Sequence, residues 1–124
     1  MGTQMSTTVR IAFPDLDDAE ANERAQDLLS DLKQDSELRG NLDLDRTAVA
    51  RTNREAMDFG ATLIAVLGTP AIVILARAIK SWIERTGTTT IELNGVRIDN
   101  IRSRDVASIV QVLGANSPAA RNHQ

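Results

Sequence analysis

The sequence predicts an α+β fold. The expected form is a two-layer sandwich in the order β-α-β-α-α-β-β-α, with helices on one face of a mixed four-stranded sheet. Three observations lead there. Short stretches near residues 9–13, 42–49 and 90–99 alternate apolar and polar residues, the period of half-buried strands. Longer stretches near 17–34, 70–85 and 103–113 repeat apolar residues at helical spacing. Asn94-Gly95 lies between two of the alternating stretches, which marks a tight hairpin.

Val9, Ile11 and Phe13 alternate with Arg10 and Ala12, and Pro14 ends this first strand because it has no N–H for a ladder. Asp17 is placed to cap a helix, with Glu20 three residues on as in a capping box. Ala21, Ala25, Leu28, Leu29 and Leu32 form the core stripe of that helix, which should run to Gln34. Asp18, Glu23, Asp27 and Asp31 should face water. Gly40 permits a turn, and Leu42 and Leu44 start a second strand that continues towards Val49. Strand, helix and strand together make a βαβ unit, so these two strands are expected to be parallel.

Residues 59–76 are eighteen uncharged residues in a row. Gly60, Gly68 and Pro70 interrupt the run, because proline inside a helix breaks the ladder. Thr69-Pro70 reads as the N-cap and first residue of a new helix. The run therefore divides into two helices, 54–67 and 70–85, forming a central apolar helical hairpin. In the second helix Ile72, Leu75, Ala76, Ile79 and Ile83 face the core, and Arg77, Lys80, Ser81, Glu84 and Arg85 form a polar stripe. Val73 and Ile74 extend that stripe although both are apolar, so either a neighbouring helix or a partner covers them.

Gly87 closes the helix. Ile91, Leu93, Val96 and Ile98 of the hairpin should point into the core. Ser103 is expected to cap a last helix carrying Val106, Ile109, Val110 and Leu113, with Gly114 at its end. One domain over 9–114 follows, flanked by disordered tails at 1–8 and 115–124.

Composition narrows the function. The net charge of −3 argues against binding nucleic acid through its phosphates. That charge is uneven: residues 15–45 carry −8 and residues 46–124 carry +4. Copies of the chain could therefore attract one another. Phe13, Phe59 and Trp82 are the only aromatic residues, too few for a base-stacking platform. There is no cysteine, and the first residues lack an apolar leader, so a cytoplasmic protein is expected. The single histidine, His123, sits in the C-terminal tail without a rigid frame for catalysis. No phosphate-binding glycine loop or calcium-loop spacing is present. These readings lead to a non-enzymatic chain without cofactor or metal, acting by binding protein. The candidate interaction surface is Asp27, Asp31, Val73, Ile74, Arg77 and Lys80.

The stretch LKQDSELRGNLDL over 32–44, above all Asp35-Ser36-Glu37-Leu38-Arg39-Gly40, carries a resemblance. Taken with the apolar middle and the TTTIELNGVRID hairpin, the chain resembles the effector-associated constant component family, first type, of bacterial conflict systems. Family members often have proline where Ser36 stands. The resemblance implies an accessory or adaptor component that binds or scaffolds an effector, such as a caspase-like or trypsin-like peptidase encoded nearby. It supplies no catalytic residues, and homo-oligomers are open to it. Without the resemblance, Leu38 is read as docking in the core and Gly40 as turning the chain. Two other readings stay open on residues alone. In one, the hairpin over 59–76 inserts into a membrane, with Arg77, Lys80 and Arg85 at anionic headgroups. In the other, a small ligand binds between hairpin and sheet.

Overall fold

The computed structural model describes residues 6–51 and 61–115. The first strand, β1 (Ser6–Ala12), is followed by helices α1 (Asp18–Gln34) and α2 (Ser36–Arg39). Strands β2 (Ala48–Arg51) and β3 (Ala61–Gly68) come next, then a 3-10 turn (Thr69–Ala71) leading into α3 (Ile72–Thr86). The hairpin β4 (Thr90–Leu93) and β5 (Val96–Asp99), a second 3-10 turn (Ile101–Ser103) and α4 (Val106–Ala115) complete the chain.

The strands form one five-stranded sheet in the order β2-β3-β1-β4-β5, and every neighbouring pair is antiparallel. Two expectations change here. The sheet has five strands rather than four, and it is antiparallel rather than mixed. β1 and β2 do run the same way, since each is antiparallel to β3, but β3 lies between them. The helical crossover thus spans a strand where the sequence predicts a helix.

That reassignment is the largest correction. The expected helix over 54–67 is a strand wherever it is described, and its part over 54–60 lies outside the described residues. The central helical hairpin therefore does not form. Ala61, Leu63, Ala65 and Leu67 turn into the core, while Thr62 and Ile64 lie half-buried on the other face. A strand paired on both sides can be apolar on both faces, which erases the alternation that separates strand from helix.

The second strand also differs. Leu42 makes one bridge to Leu67, and the ladder then bulges. Asp43 Oδ1 accepts from the N–H of Asp45 and of Arg46, both at 3.2 Å, and loops out residues 44–46. The Thr47 hydroxyl stands in for a backbone acceptor, taking the Val66 N–H at 3.0 Å, before pairing resumes at Ala48. Leu44 is left 43% exposed in the loop.

Elsewhere the local signals hold. Asp17 caps α1, accepting the Glu20 N–H at 2.9 Å, and Ala21, Ala25, Leu28 and Leu32 are buried. Gly87 ends α3 at φ 75, a left-handed conformation that side chains resist. Asn94 and Gly95 have φ 52 and 85, as a type I′ turn requires. Smaller corrections concern caps and ends. The Thr69 hydroxyl bonds the Thr7 hydroxyl at 2.9 Å, and no side chain caps that turn. Asp105, not Ser103, caps α4 by accepting the Ser108 N–H at 2.9 Å. Val96 faces the same side as Leu93 but is 40% exposed, because β5 is the sheet edge. β1 starts at Ser6, so residues 6–8 of the expected tail belong to the sheet; α4 ends at Ala115, and 116–124 lie outside the described residues.

The core lies between the helices and one sheet face. Val9, Ile11, Leu63, Ile91 and Leu93 supply the sheet side, and Leu28, Leu32, Leu75, Ile79, Trp82 and Ile83 the helix side. No helix among the described residues is long and apolar enough to cross a membrane.

Candidate interaction surface

The six candidate residues fall into separate settings. Asp27 and Asp31 lie one turn apart on α1, and both are engaged by α3. The indole Nε1 of fully buried Trp82 donates to Asp27 Oδ2 at 2.8 Å. Trp82 also meets Phe13, with ring centroids 5.7 Å apart and planes tilted by 55°. Arg85 Nη2 reaches Asp31 Oδ1 at 2.8 Å. The acidic face of α1 is thus partly a seam holding two helices together. Lys80 is engaged as well: its Nζ donates to the carbonyls of Arg102 and Arg104 at 2.7 and 2.6 Å, and lies 3.5 Å from Glu84. This ammonium fastens the loop before α4 to α3.

Val73, Ile74 and Arg77 lie nearer the start of α3. Ile74 packs partly against the core, whereas Val73 is 43% exposed. Arg77 Nη1 comes within 3.9 Å of Glu37 Oε1, an exposed and therefore weak pair. It nevertheless ties the α3 surface to the Glu37-Leu38-Arg39-Gly40 turn. Asp35 caps that turn through the N–H groups of Glu37 and Leu38, and Leu38 is fully buried.

Beside this turn is an open groove of about 770 Å³, lined by Ser6 and by residues 40–43 and 66–70, two segments that pair with each other at Leu42 and Leu67. Gly40 lines it, and its backbone needs no glycine. Its φ is −69, and a Cβ there would meet nothing within 4 Å. Gly40 does turn the chain, as expected, but in an ordinary right-handed conformation open to any residue. Sequence reasoning missed the groove because its lining segments lie far apart in the chain.

Among the described residues two titrations are shifted. The Arg97 guanidinium is held above its ordinary value by hydrogen bonds to Asp99 and Asp15. Asp105 is held below the ordinary carboxylate value, chiefly by the backbone N–H of Ser108 that it caps. Among the described residues no three His, Cys, Asp or Glu side chains converge as a metal ion would need. His123 lies outside the described residues.

A family model described as Effector Associated Constant Component 1 matches residues 17–116. The chain belongs to the Effector Associated Constant Component 1 family. No curated protein and no solved structure matches the chain. The match to Effector Associated Constant Component 1 includes α1, α2, β2, β3, α3, the β4–β5 hairpin and the Glu37-Leu38-Arg39-Gly40 turn, but begins after β1. The central strand of the sheet therefore comes from sequence ahead of the matched region.

Proposed function

We propose that this chain is a non-catalytic adaptor of a bacterial conflict system, docking an effector protein at the groove lined by residues 40–43 and 66–70, ahead of the start of α3. Membership of an effector-associated family is the observation that carries this reading. The groove itself, exposed Val73 on the first turn of the helix that follows its lining residue Pro70, and a glycine at position 40 that the fold does not require support this site. A caspase-like or trypsin-like peptidase encoded nearby is the effector class to try first, and self-association of the adaptor would gather several effectors. The cytoplasm is the expected compartment.

Asp27, Asp31 and Lys80 serve this reading through the fold, since each already holds two elements together. The membrane-insertion alternative depended on a helical hairpin over 59–76, which a strand, a 3-10 turn and a helix replace where described.

Co-expression of the tagged chain with the neighbouring effector tests the proposal. The wild type should retain the effector through purification, and Gly40→Trp and Val73→Asp should each lose it while keeping native circular dichroism. Equal retention by all three would exclude the groove.

A further inference from the structure

The sheet ends at β5, and among the described residues no strand lies beyond it. Leu93 and Val96 flank the two-residue turn and pair directly, and Ile91 pairs with Ile98. In an antiparallel ladder closed by such a turn, the flanking residues bond each other and every second residue follows. The N–H and C=O groups of Val96 and Ile98 thus point at β4. Those of Arg97 and Asp99 point outward along the free edge.

Natural sheets blunt such an edge by keeping it short, or with charged side chains, proline, inward-pointing charge or a bulge. β5 is short and carries Arg97 and Asp99, but it has no proline, bulge or inward-pointing charge, and its two charges are of opposite sign and so complement a second copy. Exposed Val96 adds apolar surface at the same margin.

We infer that β5 is a self-complementary edge through which two copies of this chain join into one continuous ten-stranded antiparallel sheet. The inference deepens the self-association part of the proposed function by naming its surface. Charge selects the partner and the register. With the two-fold axis at Ile98, Arg97 of one copy stands opposite Asp99 of the other, twice, and these are the residues whose backbone groups are free to bond. Four backbone hydrogen bonds then close the junction. Moving the axis to Arg97 or to Asp99 sets like charges face to face, which disfavours both registers. Within one copy Glu92 already lies opposite Arg97, and Thr90 opposite Asp99. Across the junction each row therefore reads Glu92, Arg97, Asp99, Thr90, so every guanidinium sits between two carboxylates. In the single copy Arg97 instead turns to its own Asp99 at 3.1 Å and to Asp15 at 2.9 Å. A four-residue edge buries little surface, so the dimer should be weak and reversible.

Sedimentation equilibrium of the full chain, from micromolar to about 1 mM, tests the inference with wild type, Arg97→Asp, Asp99→Arg and the double swap. The wild type should dimerise, each single swap should weaken it at least about tenfold, and the double swap should restore it to within about threefold. Both sites of change are exposed charges, so circular dichroism should stay native throughout. Amide exchange in the wild type should slow with concentration at Arg97 and Asp99. Dimers of equal strength in all four proteins would overturn the β5 edge while leaving self-association standing. A wild type that stays monomeric would overturn both. Effector retention is read separately and bears on neither outcome.

Discussion

Replacing Asp27 distinguishes a docking residue from an internal strut. Asp27 accepts the only hydrogen bond described for the indole of Trp82, at 2.8 Å, from a ring that is fully buried. Asp27→Ala leaves that N–H unsatisfied, and a hydrogen bond to a charged group is worth about 1.5–3 kcal/mol. Asp27→Asn keeps an acceptor in place and should cost less than about 1 kcal/mol. Trp82→Phe removes the donor and opens a void of roughly 40 Å³, which at about 24 cal/mol per Å³ adds about 1 kcal/mol to the lost transfer energy. In the Trp82→Phe background the Asp27→Ala cost should largely vanish, giving a coupling of about 1–2 kcal/mol. Urea unfolding of the four proteins, followed by far-ultraviolet circular dichroism because Trp82 is the only tryptophan, measures this directly. A coupling below about 0.3 kcal/mol would refute the strut, since that is the scatter of independent sites. It also follows that charge reversal at Asp27 cannot be read as a binding experiment, because it first perturbs the helix seam.

Three further outcomes are expected. A chain starting at residue 17, where the family match begins, should fail to fold. It lacks buried Val9, Ile11 and Phe13, at about 1.5–3 kcal/mol each, against a total stability of about 5–15 kcal/mol; a cooperative thermal transition would contradict this. Gly87→Ala and Gly95→Ala should each cost about 1–2 kcal/mol because both positions are left-handed. Gly40→Ala should be neutral or stabilising by up to about 1 kcal/mol, as thermal unfolding would show. Asp105 binds its proton less readily in the fold than unfolded, so its contribution is present above the unfolded value and fades as pH falls through the folded one. Asp105→Asn keeps a capping oxygen, so its stability should fall less on acidification than the wild type's, measured by urea titration from neutral pH downwards.

The parts of this fold that were legible in the sequence are those built from local chemistry. The Asp17 cap, the α1 stripe, the Gly87 stop and the Asn94-Gly95 turn each depend on a few adjacent residues whose backbone demands are specific. β3 was illegible for the opposite reason. It is the second strand from one edge, it pairs on both sides, and Leu63, Ala65, Val66 and Leu67 are all buried, so the period-2 signal is lost. Its length of 8 residues and its Thr62, Ile64 and Val66 were the remaining strand cues. The site followed the same rule. Val73 was visible as an apolar residue out of phase, but Asp27, Asp31 and Lys80 look alike as surface charges until their partners on other elements are known.

The proposed docking site is tested most directly by hydrogen exchange on the full chain, with and without the neighbouring effector protein. The account predicts slowed exchange in residues 40–43 and 66–70, which line the groove, and in the helix start that follows, with the α1–α3 seam unchanged. Protection confined to other segments, or no protection when the two proteins are mixed at high concentration, would contradict it.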